Sequence, residues 1–379
     1  MISVEAPPRA AYLHVPFCRH RCGYCNFTVL AGHDDLTEAF LQALELELQQ
    51  LKSPHPVDTL FIGGGTPSYL ALPHLEQLLD LANFWFPLSD GGEFTIEVNP
   101  EDFDEQKAAC AAANGVTRTS IGIQSFQSTK RIALDRQHDD AMIDQVISTC
   151  KKANFDLACD LIFAAPNETA DIWQSDLDAM TALAPSHIST YGLTWEKGTR
   201  FWNDARRGEQ FPIDEELERE MFTTARCFLR EAGYEHYEIS NYARPGKRCR
   251  HNEVYWRCDP YFAAGPGAAS YVDGVRKVNH RSATTWINKV IAGEDWVAET
   301  ETISPELAAR EKLVFGLRQL DGIVLEDFVV SSGFQVDQIA GEALERFVDA
   351  GWLTRDAQRL ALTDEGILIS DALWPDLLG

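Results

Sequence analysis

The sequence predicts an α/β protein: a partial (β/α)6 barrel followed by a mostly helical, winged-helix-like C-terminal module. Short apolar runs alternate with amphipathic helical stretches over the first half of the chain. Repeated β-α units of this length give a parallel sheet with right-handed crossovers. Polar and glycine-rich segments follow one strand after another, as in parallel barrels whose sites lie at the C-terminal strand ends.

Six strands are predicted in the first half, and they favour a partial barrel over a closed eight-stranded one. They cover residues 11–15, 57–62, 94–98, 117–123, 157–163 and 187–193. Helices are predicted between them, including residues 34–52, 72–86 and 101–114. The first of these has apolar residues at helical spacing, and the third ends at Gly115, a residue type typical of helix C-caps.

The pattern changes after about Gly192. A helix is predicted at residues 214–232, a strand at 233–242, and a glycine- and aromatic-rich stretch up to Asn279. Helices at 305–320, 325–331 and 335–350, a hairpin at 352–363 and a closing helix predict the winged-helix-like unit. We therefore predict a core at 1–240, a connecting region at 241–303 and a C-terminal domain at 304–379.

Composition restricts the classes of function. The chain is 45% hydrophobic, and no apolar run reaches the length of about 20 residues that a membrane span needs. The first eight residues lack the basic and apolar regions of a signal peptide, and nine cysteines without one predict a reducing cytoplasm. The net charge of −25 disfavours nucleic-acid binding, so the acidic C-terminal module is expected to have a structural or partner-binding role.

Three cysteines near the N-terminus carry the strongest signal. Cys18, Cys22 and Cys25 have the spacing C-x3-C-x2-C, with Tyr24 just before the third. Three thiolates in a short loop can ligate three corners of a 4Fe-4S cluster and leave the fourth iron open. The alternatives are disulfides or a structural zinc site, but zinc prefers four ligands and no second pair of ligands at knuckle spacing is visible.

Further polar segments follow the later strands. A glycine-rich run, GGGTPS, occupies residues 63–68 and allows close approach of a ligand to the backbone, although a plain tight turn is equally common. A charge within a strand is costly to bury without a partner, which favours a ligand-facing role. Four polar side chains lie at or near the ends of the later strands, and together they predict a polar ring that could hold a ligand: Glu97, Gln124, Arg136 and Asp160.

A segment rich in aromatic residues begins at His251, with the sequence HNEVYW. Such a histidine can bind a flat hydrophobic ligand or act as an axial ligand of haem iron, and the alternative is an ordinary core histidine. Cys249 and Cys258 flank it, so a small metal site is a weaker alternative.

In this order, the motifs resemble the oxygen-independent coproporphyrinogen oxidase-like branch of the radical S-adenosylmethionine (SAM) superfamily. The resemblance covers nearly the whole chain. The oxidases of this branch carry a further cysteine two residues after the third, where this chain has Phe27, and a longer segment before the position of Tyr12. Both departures, and the intact HNxxYW motif, make the chain similar to the HemW family of haem chaperones.

The resemblance implies roles for individual residues. It implies cluster ligation by the three cysteines and haem binding by His251. It implies SAM contacts from one further set of residues: Tyr12, Tyr24, Gly64, Gly65, Thr66, Glu97, Gln124, Arg136 and Asp160. Three positions depart from the family pattern: Ala164 and Ala263 stand in place of glycines and Ala269 in place of a histidine, so haem affinity or geometry is expected to differ.

The implied function is binding of a 4Fe-4S cluster, SAM and haem, with delivery of haem to a target protein. The alternative function is that of a coproporphyrinogen III oxidase, a dehydrogenase-type enzyme that decarboxylates porphyrin propionates by radical chemistry. A third alternative is an iron–sulfur interaction protein without radical chemistry. Clusters in this class can influence dimerisation, and the sequence leaves a homodimer open.

Overall fold

The computed structural model describes residues 7–379. Residues 1–6, which hold most of the stretch in which no signal peptide is predicted, lie outside the described residues. Among the described residues, no helix combines the length and the hydrophobicity required to cross a bilayer.

The strands, in chain order, are β1 Ala10–Val15, β2 Phe17–Cys18, β3 Leu30–Ala31, β4 Val57–Gly64, β5 Leu88–Val98, β6 Arg118–Gln124, β7 Asp156–Phe163, β8 His187–Gly192, β9 Glu235–Glu238, β10 Asn241–Ala243, β11 Phe262–Ala264, β12 Ala269–Val272, β13 Val275–Asn279, β14 Val297–Thr302, β15 Ile323–Val324, β16 Leu353–Arg355 and β17 Arg359–Leu362.

The α-helices are α1 Thr37–Leu48, α2 Leu72–Trp85, α3 Glu105–Ala113, α4 Ser128–Ala133, α5 Asp140–Lys152, α6 Ala170–Leu183, α7 Arg200–Arg207, α8 Glu215–Glu231, α9 Arg250–Trp256, α10 Ala283–Ala292, α11 Pro305–Arg318, α12 Leu325–Ser332, α13 Val336–Asp349, α14 Asp364–Leu368 and α15 Ser370–Leu378. Short 3-10 turns occupy Asp34–Leu36, Gln49–Leu51 and Pro67–Tyr69.

The main sheet has nine strands in the order β11-β1-β4-β5-β6-β7-β8-β10-β9. The six predicted strands are β1 and β4 to β8, and they pair parallel with one another, whereas β10 pairs antiparallel with β8. Because β11 and β9 form two separate edges, the barrel is open. The predicted partial barrel is therefore confirmed, with three strands added at its edges.

Burial along β4 explains how the barrel positions a site. Leu60 and Ile62 are fully buried on the side covered by helices. Thr59 and Phe61 alternate with them and face the barrel interior, as the period of two requires. Because the six strands are parallel, their C-terminal ends lie at one edge of the sheet, which brings the strand-end residues together.

Three predicted elements differ from the structure. The strand predicted at 94–98 is the end of a longer strand, β5, which begins at Leu88. Residues 233–242 form a hairpin of β9 and β10, which pair antiparallel with a shift of register, and β10 continues the sheet beside β8. The helix predicted at 101–114 begins at Glu105 because the Asp104 side chain caps it, accepting hydrogen bonds from Gln106 N and Lys107 N.

The C-terminal module has its own hydrophobic core, built by α11, α13 and the small sheet β15-β17-β16. The predicted hairpin at 352–363 corresponds to β16 and β17, so the winged-helix-like arrangement is confirmed. The connecting region contributes β11 to the main sheet and forms the separate sheet β12-β13-β14. The domain boundaries at 240 and 303 stay predictions.

Candidate cofactor site of a radical SAM barrel

The three motif cysteines lie in the loop that follows β1. β2 ends at Cys18, and Cys25 N donates a hydrogen bond to Cys22 O at 3.1 Å, which curls the loop. All three thiols are half-buried and close enough to interact electrostatically with one another. Burial raises the pKa of the Cys18 thiol to about 12, so metal coordination rather than free ionisation would remove its proton.

This donor set fits an iron–sulfur cluster better than a single metal ion. Within residues 7–379, no group of three or more His, Cys, Asp or Glu side chains is arranged to hold one metal ion. A 4Fe-4S cluster attaches each thiolate to a different iron and so needs its sulfurs farther apart than one ion would. Three half-buried thiols that lie on one loop without converging on a single ion position suit that arrangement.

A hydrogen-bonded network joins the cysteines to the ends of β4, β5 and β6. Arg136 donates from Nη1 to Cys22 Sγ at 3.6 Å and from Nη2 to Asn99 Oδ1 at 2.7 Å. Asn99 Nδ2 donates to Thr66 Oγ1 at 2.8 Å, and that oxygen lies 3.4 Å from Cys18 Sγ. Arg136 Nε is buried without a hydrogen-bond partner among the described residues, so it has capacity for a ligand.

The glycine-rich run packs directly on the backbone of the cysteine loop. Gly65 N donates to Val15 O and Thr66 N to Phe17 O, both at 2.7 Å. A Cβ at Gly65 would lie 2.6 Å from Phe17 O, and Gly64 has φ +108° with the His14 ring 2.4 Å from the place of its Cβ. Only glycine fits at both positions, and its lack of a side chain lets the run lie directly against the loop that carries the cysteines.

Two carboxyl groups face each other inside the barrel mouth. Glu97 accepts from Gly64 N at 2.9 Å, and Asp160 accepts from Ser120 Oγ at 3.4 Å. Burial, reinforced by the nearby Asp160 carboxylate, raises the pKa of Glu97 to about 7. Burial also raises the pKa of Asp160 to about 6, against opposing hydrogen bonds from Ser189 and Ser120. Both groups therefore titrate near neutral pH.

The remaining predicted SAM contacts line the same mouth. Gln124 ends β6 with φ +64°, and its Nε2 folds back to 2.9 Å from the place of a Cβ at Gly122. Tyr24 packs edge-on against Phe201, with ring centroids 6.1 Å apart, and its hydroxyl hydrogen bonds with Cys22. Tyr12 Oη lies 3.0 Å from His14 Nδ1, and burial raises the pKa of Tyr12.

The structure adds two residues that the sequence analysis missed. Asn99 links Thr66 to Arg136, and Tyr191, near the end of β8, is 43% exposed although its hydroxyl lies close to Asp160 and Ser189. Its exposed surface therefore faces the open barrel interior. The position of Tyr191 near a parallel strand end was a signal that could have identified it.

His251 lies at the other end of the barrel. Its ring is 1% exposed, Nδ1 is 3.0 Å from Thr59 Oγ1, and Nε2 is 2.9 Å from Tyr255 Oη. Burial lowers its pKa to about 3, so the ring is neutral. Thr59 lies five residues before Gly64 on β4, and the Phe61 ring, between these two positions in the strand, lies 5.2 Å from the His251 ring, so His251 packs beneath the cofactor mouth. In this conformation each ring nitrogen therefore has a hydroxyl group as its hydrogen-bond partner.

Cys249 and Cys258 lie in different surroundings, which removes the basis for a joint metal site. The Cys249 thiol is 3.6 Å from Glu93 Oε1, whereas Cys258 lies near Glu311 and Lys312. Of the three departures from the family pattern, Ala164 has φ +64°, a left-handed conformation that favours glycine. Ala263 is paired with Tyr12 in an ordinary strand, and Ala269 begins β12.

A model of the radical SAM superfamily matches residues 12–179, and a model of the HemN C-terminal domain matches residues 303–369. Over its length, the chain is 31% identical to the haem chaperone HemW of Lactococcus lactis, covering 98% of this chain and 97% of the relative. It is 34% identical to HemW of Synechocystis, covering 97% and 95%. The chain belongs to the HemW family of radical SAM proteins.

Family membership sets the cofactors: radical SAM proteins carry a 4Fe-4S cluster and use SAM, and the residues of the barrel mouth fit both groups. A solved structure of coproporphyrinogen III oxidase (HemN) from Escherichia coli has the same fold, with a TM-score of 0.86 over 98% of this chain and 90% of that one. At 19% sequence identity, that likeness concerns the fold alone.

Proposed function

We propose that this protein is a haem chaperone that holds a 4Fe-4S cluster, binds SAM and haem, and passes haem to a target protein. The observation that carries the proposal is the near full-length similarity to HemW proteins at 31% and 34% identity. Phe27, where the oxidases of this branch carry a further cysteine, supports the same choice.

The residues of the barrel mouth divide the work of holding the cofactors. Cys18, Cys22 and Cys25 would ligate the cluster, which would supply an electron and an open iron to which SAM would bind. Backbone carbonyl groups of the 63–68 run would accept hydrogen bonds from the amino group of SAM. Arg136, with a free Nε, suits its carboxylate, and the carboxyl groups of Glu97 and Asp160 suit its hydroxyl and cationic groups.

We propose that haem binds through His251 only after a rearrangement. The iron of haem needs a free imidazole nitrogen, and each nitrogen of His251 has a hydroxyl partner. Because His251 and Tyr255 both lie on α9, Nε2 becomes free only if the Tyr255 side chain rotates away from the imidazole. Nδ1–H can then donate to Thr59, the type of second hydrogen bond that orients metal-binding histidines.

The deciding experiment is a haem titration of the cluster-loaded protein, followed by the Soret absorbance. We expect stoichiometric binding by the wild type and a loss of at least tenfold in affinity for His251→Ala. His74→Ala, on helix α2 outside the barrel, is the matched control and should bind as the wild type does. Absence of stoichiometric haem binding by the wild type would refute the proposal.

An anaerobic assay with dithionite, SAM and coproporphyrinogen III tests the alternative function. Formation of protoporphyrinogen at a catalytic rate would make the protein an oxidase. Absence of SAM binding by the cluster-loaded protein would instead favour an iron–sulfur interaction protein. We also propose a cytoplasmic location and leave a homodimer as an expectation, which light scattering with and without the cluster would test.

A further inference from the structure

A cluster of three buried charged side chains lies directly behind the ends of β6 and β7. Lys130 of α4, Glu168 of the loop after β7 and Asp176 of α6 are each no more than 4% exposed. Lys130 Nζ lies 2.5 Å from Glu168 Oε1 and 2.9 Å from Asp176 Oδ2. The Trp173 ring lies 4.8 Å from the same ammonium group. None of these residues faces the barrel mouth.

The carboxylates of this cluster accept hydrogen bonds from the turns that follow β6 and β7. Asp176 accepts from Ser125 Oγ at 2.8 Å and from Phe126 N at 2.7 Å. Glu168 Oε2 accepts from Ala165 N at 2.9 Å. Ser125 Oγ also accepts from Gln127 N at 2.9 Å. The anchored residues therefore follow immediately after Gln124 and Ala164.

Both of those preceding positions have strained backbone. Gln124 and Ala164 each have φ +64°, a left-handed conformation that is unfavourable for a residue with a Cβ. Such strain persists only where the surroundings determine the backbone, and it concentrates at functional sites. At Gln124 the conformation turns the side chain back over Gly122, beside Arg136 and Asn99.

Stability alone does not account for three buried charges at this place. Removing charges from water is unfavourable, and apolar replacements of buried ion pairs are often neutral or stabilising. The cluster instead fixes backbone conformation, because its charge-assisted hydrogen bonds have a defined geometry and hold two turns that would otherwise relax.

We propose that Lys130, Glu168 and Asp176 form a positioning cluster for the SAM site, holding the turns after β6 and β7 so that Gln124 points into the barrel mouth. The proposal deepens the proposed function and rests on it for the identity of the ligand. None of the three residues touches SAM. Each acts through the backbone that it anchors.

The test compares Asp176→Asn with Asp178→Asn, an exposed position on the same helix, and with Ser125→Ala, a milder variant that removes only the bridging hydroxyl. SAM affinity is measured by equilibrium dialysis on cluster-loaded protein, alongside iron content and thermal stability. Hydrogen exchange of residues 122–127 and 163–168 is measured without the cluster. We expect SAM binding at least tenfold weaker for Asp176→Asn and about threefold weaker for Ser125→Ala, with unchanged iron content. Asp178→Asn should match the wild type.

Three outcomes would overturn the proposal. SAM affinity of Asp176→Asn within twofold of the wild type is one. A second is parallel loss of SAM affinity, iron content and thermal stability in both Asp176→Asn and Ser125→Ala, which a purely structural role would produce. Unchanged exchange at 122–127 in Asp176→Asn is the third. If the wild type binds no SAM, the proposed function fails, and the exchange result alone decides whether the cluster holds these turns.

Discussion

Replacing Tyr255 by phenylalanine should tighten haem binding while it weakens the fold. The Tyr255 hydroxyl occupies Nε2 of His251 at 2.9 Å, so iron coordination through that nitrogen has to break this hydrogen bond. A neutral hydrogen bond contributes about 0.5–1.5 kcal/mol to a folded protein. Tyr255→Phe removes this hydrogen bond, so the haem-free protein loses that stabilisation, and haem binding no longer has to break the bond.

The expected change in haem affinity follows from the same energy. Since 1.4 kcal/mol corresponds to a tenfold change, Tyr255→Phe should bind haem about 2- to 13-fold more tightly than the wild type. Its free energy of unfolding without haem should fall by about 1 kcal/mol. Thr59→Val should act in the opposite direction on haem, because it removes the hydroxyl that can orient the ligating ring through Nδ1.

Soret titrations and urea unfolding of the wild type, Tyr255→Phe and Thr59→Val check the expected directions of change in haem affinity and stability. Tyr261→Phe is the control, because its ring meets Tyr255 edge-on at 4.8 Å and its change leaves both hydrogen bonds of His251 in place. Haem affinity of Tyr255→Phe equal to or weaker than the wild type, with the expected loss of stability, would show that Nε2 of His251 is not the iron ligand.

Three further predictions concern the barrel mouth. SAM affinity should fall about tenfold between pH 8 and pH 6, because the Glu97 pKa of about 7 makes the carboxyl neutral below that pH and cationic SAM favours the carboxylate; Glu97→Gln should bind more weakly with a much flatter pH profile. Cys18→Ser should lose most of its iron after reconstitution, whereas Cys258→Ser, far from the loop, should retain it; equal iron contents would refute the assigned ligand. Asn99→Ala should weaken SAM binding at least tenfold in dialysis, because it releases the charge-assisted hydrogen bond from Arg136; unchanged affinity would show that the network is dispensable.

The barrel was predictable because its signals are local. Each predicted strand of the core is an apolar run of five to seven residues, and each is followed by a polar or glycine-rich segment, so order and direction follow from chain position. The residues at those strand ends could be assigned to one mouth on the same ground. Pairings between distant segments have no such signal: β11 joins β1 across about 250 residues of chain, and no periodicity indicates this.

Site residues that act through other residues were also beyond the sequence. Asn99 lies two residues after Glu97 in the sequence, but its role depends on meeting Arg136, which lies 37 positions away. Lys130 and Asp176 read as ordinary charges on amphipathic helices until the fold buries them together. Charged residues are rarely fully buried without a partner, so a sequence analysis assigns them to the surface by default.

His251 shows why a correct motif does not fix the geometry of a site. A histidine among aromatic residues is compatible with an open ligand site and with a packed core. In this conformation His251 is buried in a packed core. The Phe61 ring lies between the rings of His251 and Tyr12, with centroids 5.2 Å and 6.1 Å apart. Tyr12 in turn bonds to His14, on which Gly64 packs. A movement that frees His251 therefore alters the support beneath the glycine-rich run, because protein interiors are close-packed and transmit such displacements.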